Sequence, residues 1–335
     1  MQLRLRLIPP TVDCDYSANV SDKLQVDLPM KKLRVGVVGV GAIGSNHARL
    51  YEEIPSAEFT AVYDIDVTKG NAIGRKFGAT PAKSLDEFSE MVDAASVATP
   101  TNTHYEIARP LLVRGKHLLI EKPITNKTAH AGKLAELATG KGLILQVGHV
   151  ERFNPVLSAL EKHLAHPRFI EAHRLSPYPK RSTDIGVVLD LMIHDLEIIL
   201  HFVRSPVKKI EAVGVPVLSR GEDIANARLR FENGCVANVT SSRISPERLR
   251  KIRIFQEDAY LSLDYQNQTG EIYRRIGERI TRDKVAIERE EPLKRQLTSF
   301  IECASTGREP RVSGSQATAA LELAVKITKR IASSV

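Results

Sequence analysis

The chain has 335 residues, 42% apolar and 26% charged, enough to bury two sizeable cores, so two domains are expected rather than one or three. Its net charge of +8 comes from 48 basic residues interspersed with 40 acidic ones, with no basic arm, which argues against a nucleic-acid partner. No apolar run reaches the roughly eighteen residues that a bilayer crossing needs. Cys14, Cys235 and Cys303 have spacings that suit neither a metal nor a disulfide framework, so no metal is expected and the compartment reads as reducing and cytoplasmic.

Residues 1–30 are expected to be a disordered extension. Arg4 and Arg6 break the early apolar stretch, Pro9-Pro10 stop it, and Met30 stands directly before Lys31-Lys32-Leu33-Arg34, where the folded pattern begins. Residues 35–40 read as a buried strand running into Gly39-Val40-Gly41-Ala42-Ile43-Gly44, a G-x-G-x-x-G turn, with a helix over 45–53. Alone, that hexapeptide is weak. A second strand at 59–63 ends in Asp64, twenty residues past Gly44, the offset at which an acid reaches an adenosine ribose. A carboxylate there would repel a 2′-phosphate, and Ile65 follows where an NADP reader would want arginine, so the cofactor is expected to be NAD. Asp66 reads as the cap of the next helix.

The alternation continues with a strand at 94–98 ending in Thr99-Pro100, a helix from His104 to about 114, and a strand at 117–120 that closes in Glu121-Lys122-Pro123. A helix at 126–139 and a strand at 143–147 ending in Gly148-His149 complete an NAD-binding domain over 31–150. Strands separated by crossover helices mean a parallel, doubly wound sheet. After Arg152-Phe153-Asn154-Pro155 the texture changes to helices at 156–164 and 187–203, then mostly strands, with Asn233-Gly234 as the strongest hairpin signal. Residues 151–335 are therefore expected to form an α+β domain with a largely antiparallel open sheet, for substrate binding and oligomerisation.

Two features carry chemistry. Lys122 is a cation at the carboxyl end of a parallel strand, where open α/β sheets form their ligand crevice. In the apolar helix at 187–203, Asp190, His194, Glu197 and His201 fall at i, i+4, i+7 and i+11, a single polar stripe that should face water or a cleft. A neutral imidazole suits the removal of an alcohol proton near neutral pH, so His194 is cast as a base and Lys122 as the group that stabilises the developing alkoxide. A deprotonated Lys122 acting as the base is the alternative. Asp190 could orient His194 or hold a sugar hydroxyl, whereas Asp195 lies off the stripe. Arg152 and Asn154 lie just past a strand end and read equally as sugar or phosphate contacts and as structural residues. Arg174, Tyr178, Lys180 and Arg181 read as a diphosphate site or as an ordinary basic loop. His104 reads as lining the nicotinamide pocket and His47 as packing beside the glycine loop.

The glycine loop, Thr99-Pro100 with His104, Glu121-Lys122-Pro123 and Asp190-x-x-x-His194 together resemble the Gfo/Idh/MocA oxidoreductase family, from about Lys31 to the C-terminus. That resemblance implies an N-terminal Rossmann domain that binds NAD(P). It implies cofactor contacts from Gly39, Gly41, Ala42, Ile43, Gly44, Asp64, Thr99, Pro100, His104, Glu121 and Lys122. It also implies a catalytic set of Lys122, Asp190 and His194; in substrate binding these three would be joined by Arg152 and Asn154 on the strength of their strand-end position. The chain departs from the many members with paired glycines before the aspartate, having Asp184-Ile185 before a single Gly186. Residues 146–155, 173–177, 190–195 and 223–228 resemble a narrower branch, bacterial nucleotide-sugar 3-dehydrogenases acting on UDP-N-acetylglucosamine. Their 3-keto product is aminated by a PLP-dependent aminotransferase on the way to an amide-linked lipid A. The other readings are a dehydrogenase of a free sugar or cyclitol, and a non-catalytic NAD-binding sensor, which would have no need of all three site residues. The family also implies a homodimer or homotetramer through the open sheet, and the alternating apolar positions in 252–263 are expected to supply that face.

Overall fold

Two sheets organise the residues that the computed structural model describes, 32–178 and 185–333. Residues 1–30, expected to form an extension, and Lys180, Arg181 and Asp184 lie outside the described residues. The first sheet contains β1 (Leu33–Val38), β2 (Ala57–Tyr63), β3 (Thr80–Pro81), β4 (Ala94–Val97), β5 (His117–Glu121) and β6 (Leu145–Gly148). All its neighbours are parallel, in the order β3-β2-β1-β4-β5-β6. The crossovers are α1 (Ala42–Glu53), α2 (Val67–Phe77), α3 (Leu85–Met91), α4 (His104–Val113) and α5 (Thr128–Gly140). Short polar side chains start two of them. Asp66 caps α2 by accepting from the Thr68 and Lys69 amides, and Ser84 caps α3 by accepting from Glu87 N. The strand order reverses between β1 and β4, which opens a crevice at their carboxyl ends.

The second part opens with α6 (Pro155–Glu161) and β7 (Phe169–Leu175), then a π-helical turn (Val188–Met192) running into α7 (Ile193–Val203). There follow β8 (Val207–Val215), β9 (Ile224–Phe231), β10 (Val236–Ser242), β11 (Leu249–Phe255), β12 (Ala259–Asp264), β13 (Thr269–Ile276) and β14 (Arg279–Lys284). Their sheet runs β14-β13-β12-β11-β7-β10-β9-β8 and is antiparallel except between β7 and β10. The hairpin at Asn233-Gly234 joins β9 to β10, with Gly234 at φ 86°, a conformation that favours glycine. The chain closes with α8 (Pro292–Thr306) and α9 (Gly314–Ala332), two helices that the sequence reading gives no place.

One expectation about the second sheet is corrected. Ile252, Ile254, Leu261 and Leu263 are completely buried in the protein's own core and cannot form a pairing face. The opposite face of the same strands carries a row of stacked rings in register, Phe169, Phe255, Tyr260 and Tyr273. Alternation sends the apolar set inward because helices cover that side.

Candidate active site

The glycine loop leaves β1 at the strand-order reversal. Gly39 sits at φ 83°, and a side chain there would meet Thr99 Cγ2 at 2.6 Å. A Cβ on Gly44 would collide with the Gly39 carbonyl oxygen, so helix and strand touch backbone to backbone. Gly41 has open space where its Cβ would be, and Gly41, Ala42 and Ile43 are exposed at the crevice. No side chain caps α1 and no acid stands in its first turn, which leaves backbone N–H groups free for an anion. This cradle fits the pyrophosphate of a dinucleotide.

The groups beside the cradle are tied to one another. Asp64 accepts from Val40 N (2.8 Å) and Asp66 N (2.9 Å), which pins the carboxylate at the end of β2 against the loop. Thr99 and Pro100 follow β4, with Thr103 Oγ1 donating to Thr99 Oγ1 at 2.8 Å. His104 is buried with Nε2 2.8 Å from Thr99 O and Nδ1 3.0 Å from Pro123 O, stapling the turn after β4 to the turn after β5. Burial holds its pKa below the ordinary value, so at neutral pH only one of these nitrogens carries the proton. Glu121 reaches His47 Nε2 at 3.3 Å beneath α1, and a Cβ on Gly148 would meet its carboxylate at 2.5 Å. His47 is completely buried, its Nδ1 3.0 Å from Ser96 Oγ.

Lys122 leaves the end of β5, ahead of a cis Lys122–Pro123 peptide. Its Nζ donates to the carbonyl oxygen of Asp190 (2.7 Å) and to Asp190 Oδ1 (3.1 Å). The π-helical turn that carries Asp190 is fixed from behind by Glu222, which accepts from Val187 N and Val188 N. Gly186 packs on that carboxylate so closely that a Cβ would overlap it, which accounts for the glycine retained there. π-turns inside helices often occur at functional sites. His194 follows one turn later, 9% exposed, with Nδ1 buried and unpartnered, leaving Nε2 as the nitrogen open to a ligand. Burial, then the charges of Lys122 and Arg174, hold its pKa well below the usual histidine value. The cleft therefore sets a neutral imidazole beside a held ammonium. Among the described residues, no group of three or more His, Cys, Asp and Glu is placed to hold a metal, and Cys235 and Cys303 are free thiols.

Several candidates lie apart from this group. Arg152 is buried with Nε 3.6 Å from Glu197 Oε2, and Asn154 caps α6 by accepting from Val156 N. The stripe on α7 thus divides: Asp190 and His194 meet the cleft, whereas Glu197 is 2% exposed and its pKa is pushed up by burial to about 7. His201 lies 3.3 Å from Glu161. Arg174 is no free basic residue. It is buried in a two-pronged pair with Asp195 (2.8 and 3.0 Å) and bonds Glu151 at 2.9 Å, which ties β7 to α7. Asp195, off the stripe in sequence, is thereby structural. The residue that sequence reasoning passed over is His149, at the end of β6; its signal was the same strand-end position that singled out Lys122.

Residues 33–149 match the family model described as "Oxidoreductase family, NAD-binding Rossmann fold", and residues 160–262 match the "GFO/IDH/MocA C-terminal domain". A UDP-N-acetylglucosamine 3-dehydrogenase from Acidithiobacillus ferrooxidans is 38% identical over 247 residues, 73% of this chain and 78% of that protein. The chain belongs to the Gfo/Idh/MocA oxidoreductase family. As a Gfo/Idh/MocA enzyme it is an NAD-dependent dehydrogenase, with NAD held by the Rossmann-type sheet. A solved structure of UDP-N-acetylglucosamine 3-dehydrogenase from the same organism matches with a TM-score of 0.86 at 33% identity, covering 90% of this chain and 98% of that one. A more distant Gfo/Idh/MocA relative, scyllo-inositol 2-dehydrogenase (NAD(+)) from Bacillus subtilis, is 25% identical over 89% of this chain and 93% of that protein.

Proposed function

We propose that the protein oxidises a secondary hydroxyl of a nucleotide sugar with NAD, the substrate being UDP-N-acetylglucosamine and the product its 3-keto form. The observation that carries the chemistry is the neutral His194 with an open Nε2 in the same cleft as Lys122, whose ammonium is anchored on Asp190. The substrate rests on the 38% identical relative of that activity.

Oxidising an alcohol requires a base for the hydroxyl proton and a partner for the charge that develops on oxygen. His194 takes the proton at Nε2. Lys122 donates to the same oxygen from a position fixed by two hydrogen bonds to Asp190, so little reorganisation is needed as charge appears. NAD, when bound, supplies the two-electron acceptor. The cradle of Gly39, Gly41, Ala42, Ile43 and Gly44, the carboxylate of Asp64, and the turns at Thr99-Pro100 and Glu121-Lys122, tied together by His104, would hold it. A neutral base matters here because an imidazolium beside Lys122 would repel it and could accept no proton.

The decisive assay is absorbance at 340 nm with NAD and UDP-N-acetylglucosamine, the ketone being drawn off by a PLP-dependent sugar aminotransferase so that an unfavourable equilibrium does not mask turnover. NADH formation with UDP-N-acetylglucosamine, and none with N-acetylglucosamine or inositol, is the expected outcome. Turnover of free inositol in preference would replace the nucleotide sugar by a cyclitol, and a silent trace with confirmed NAD binding would reduce the protein to a sensor. The same reading places the enzyme in the cytoplasm, upstream of the amination that leads to an amide-linked lipid A. It also expects a homodimer or homotetramer assembled on the ring-bearing face of Phe169, Phe255, Tyr260 and Tyr273, to be measured by light scattering after size exclusion.

A further inference from the structure

His149 stands at the carboxyl end of β6, next to the strand that delivers Lys122, with Glu121 and Gly148 in register between them. It is 1% exposed, and both of its ring nitrogens are buried without a hydrogen-bond partner. The ring meets that of His194 edge to face, with centroids 5.7 Å apart and planes at 82°. Nδ1 of His194 is likewise buried and unpartnered. Three orphan ring nitrogens thus fall on one ring–ring contact, where buried polar atoms are ordinarily paired.

A histidine that accepts a proton at Nε2 carries its resting proton at Nδ1, and the buried side of the ring must offer that N–H an acceptor. The nearby carboxylates are committed elsewhere: Asp190 holds Lys122, Asp195 and Glu151 hold Arg174, and Glu197 faces Arg152. We propose that His149 is the positioning residue for His194, accepting its Nδ1–H through one bridging water and so fixing the tautomer that leaves Nε2 free for the substrate hydroxyl. The inference rests on His194 being the base of the reaction proposed above.

A neutral acceptor suits this place better than a carboxylate. An aspartate there would favour the imidazolium form of His194 and compete with Asp190 for the Lys122 ammonium. His149 itself stays uncharged: burial, then the charges of Lys122 and Arg152, push its pKa down to about 3. It therefore keeps an acceptor nitrogen through the whole neutral range.

Nitrogen-15 NMR of the histidine-labelled protein reads the tautomer with no substrate present. Among the ten histidines, His194 is assigned by the signal lost in His194→Asn. A neutral His194 protonated at Nδ1 is expected near neutral pH, and protonation at Nε2 in the wild-type protein overturns the proposal before any variant is made. His149→Phe keeps an aromatic ring for the edge-to-face packing and removes both nitrogens. It should give a mixed His194 tautomer and a kcat at least about tenfold lower, with KM for NAD and for the nucleotide sugar within about twofold. His149→Gln, which retains an acceptor, should recover most of that loss. A His149→Phe enzyme with wild-type kcat and an unchanged tautomer would reduce His149 to packing and overturn the proposal. Wild-type protein that shows the Nδ1–H tautomer yet oxidises no nucleotide sugar would sink the reaction proposed above and leave the His149–His194 contact standing.

Discussion

At Lys122 the ammonium is held by both the carbonyl and the carboxylate of one residue, so its position is set before substrate arrives. Lys122→Met removes the donor at similar length. By the usual effect of deleting one such donor, kcat should fall by about 10² to 10³, while NAD affinity, followed by fluorescence titration, stays within about twofold. A kcat loss matched by an equal loss of NAD affinity would make Lys122 a cofactor anchor only. His194 gives a pH prediction. Its neutral form does the work and its folded pKa lies well below 6.5, so activity survives acidification through 6.5 and is lost only as pH falls through the lower value. The profile of kcat/KM should hold its plateau below pH 6.5, and an acid limb centred at or above that value would contradict the neutral-base assignment. Asp64 decides between cofactors. Its charge opposes a 2′-phosphate by about 1 kcal/mol in water and about 4 kcal/mol at a surface-like dielectric. Asp64→Ala also frees the Val40 and Asp66 amides, which weakens both cofactors alike, so the ratio of NADP to NAD efficiency reads the lost charge together with the lost ribose hydrogen bond and should rise at least about fivefold.

On the scale of elements, the site depends on how α7 is fastened. Arg174 on β7 grips Asp195 on α7 in two bonds and Glu151 in a third, all three side chains buried. Arg174→Met would leave Asp195 without a counter-charge in the interior and Glu151 with Arg250 alone. A loss of about 3 to 5 kcal/mol is expected from breaking a buried pair on one side, read as a lower urea midpoint with unchanged slope. This clamp marks the limit of what the sequence discloses. The glycine loop, Asp64 and Lys122 are legible because each is a strand end within one local pattern, and Asp190 with His194 because both fall on one helical face. The pairing of Arg174 with Asp195 depends on how β7 and α7 meet across a loop, and no local periodicity records that. The same gap misleads about 252–263, where alternation identifies two faces without saying which one the helices cover. It also leaves Arg152 open between a ligand contact and a structural role, because a strand-end position like that of Lys122 does not tell that the side chain turns inward to Glu197.

Across the whole molecule, α8 turns back to the first sheet, whereas α9 packs on elements of both. Leu297, Phe300 and Ile301 of α8 share a buried cluster with Val35 and Val37 of β1 and Leu50 of α1. Past α8, Val147 N donates to Val312 O and Ser313 bridges Gln146, so returning chain covers the edge of β6. A second cluster runs without a break from Val38, Val97 and Ile120 of the first sheet to Ile170 and Ile252 of the second, with Leu321 and Ile327 of α9 in it. Neither sheet can therefore lose its packing while the other keeps its own. Unfolding should be one cooperative calorimetric transition, raised as a whole by NAD although the glycine loop belongs to the first sheet alone. At about one hundred times its dissociation constant, the cofactor should add about 2.7 kcal/mol to that single transition. Two transitions with only the first moved by NAD would mean that the shared core is too weak to couple them. Phe300→Ala supplies the complementary test: a buried aromatic truncated in α8 should cost about 3 to 5 kcal/mol and lower the one transition that both sheets share.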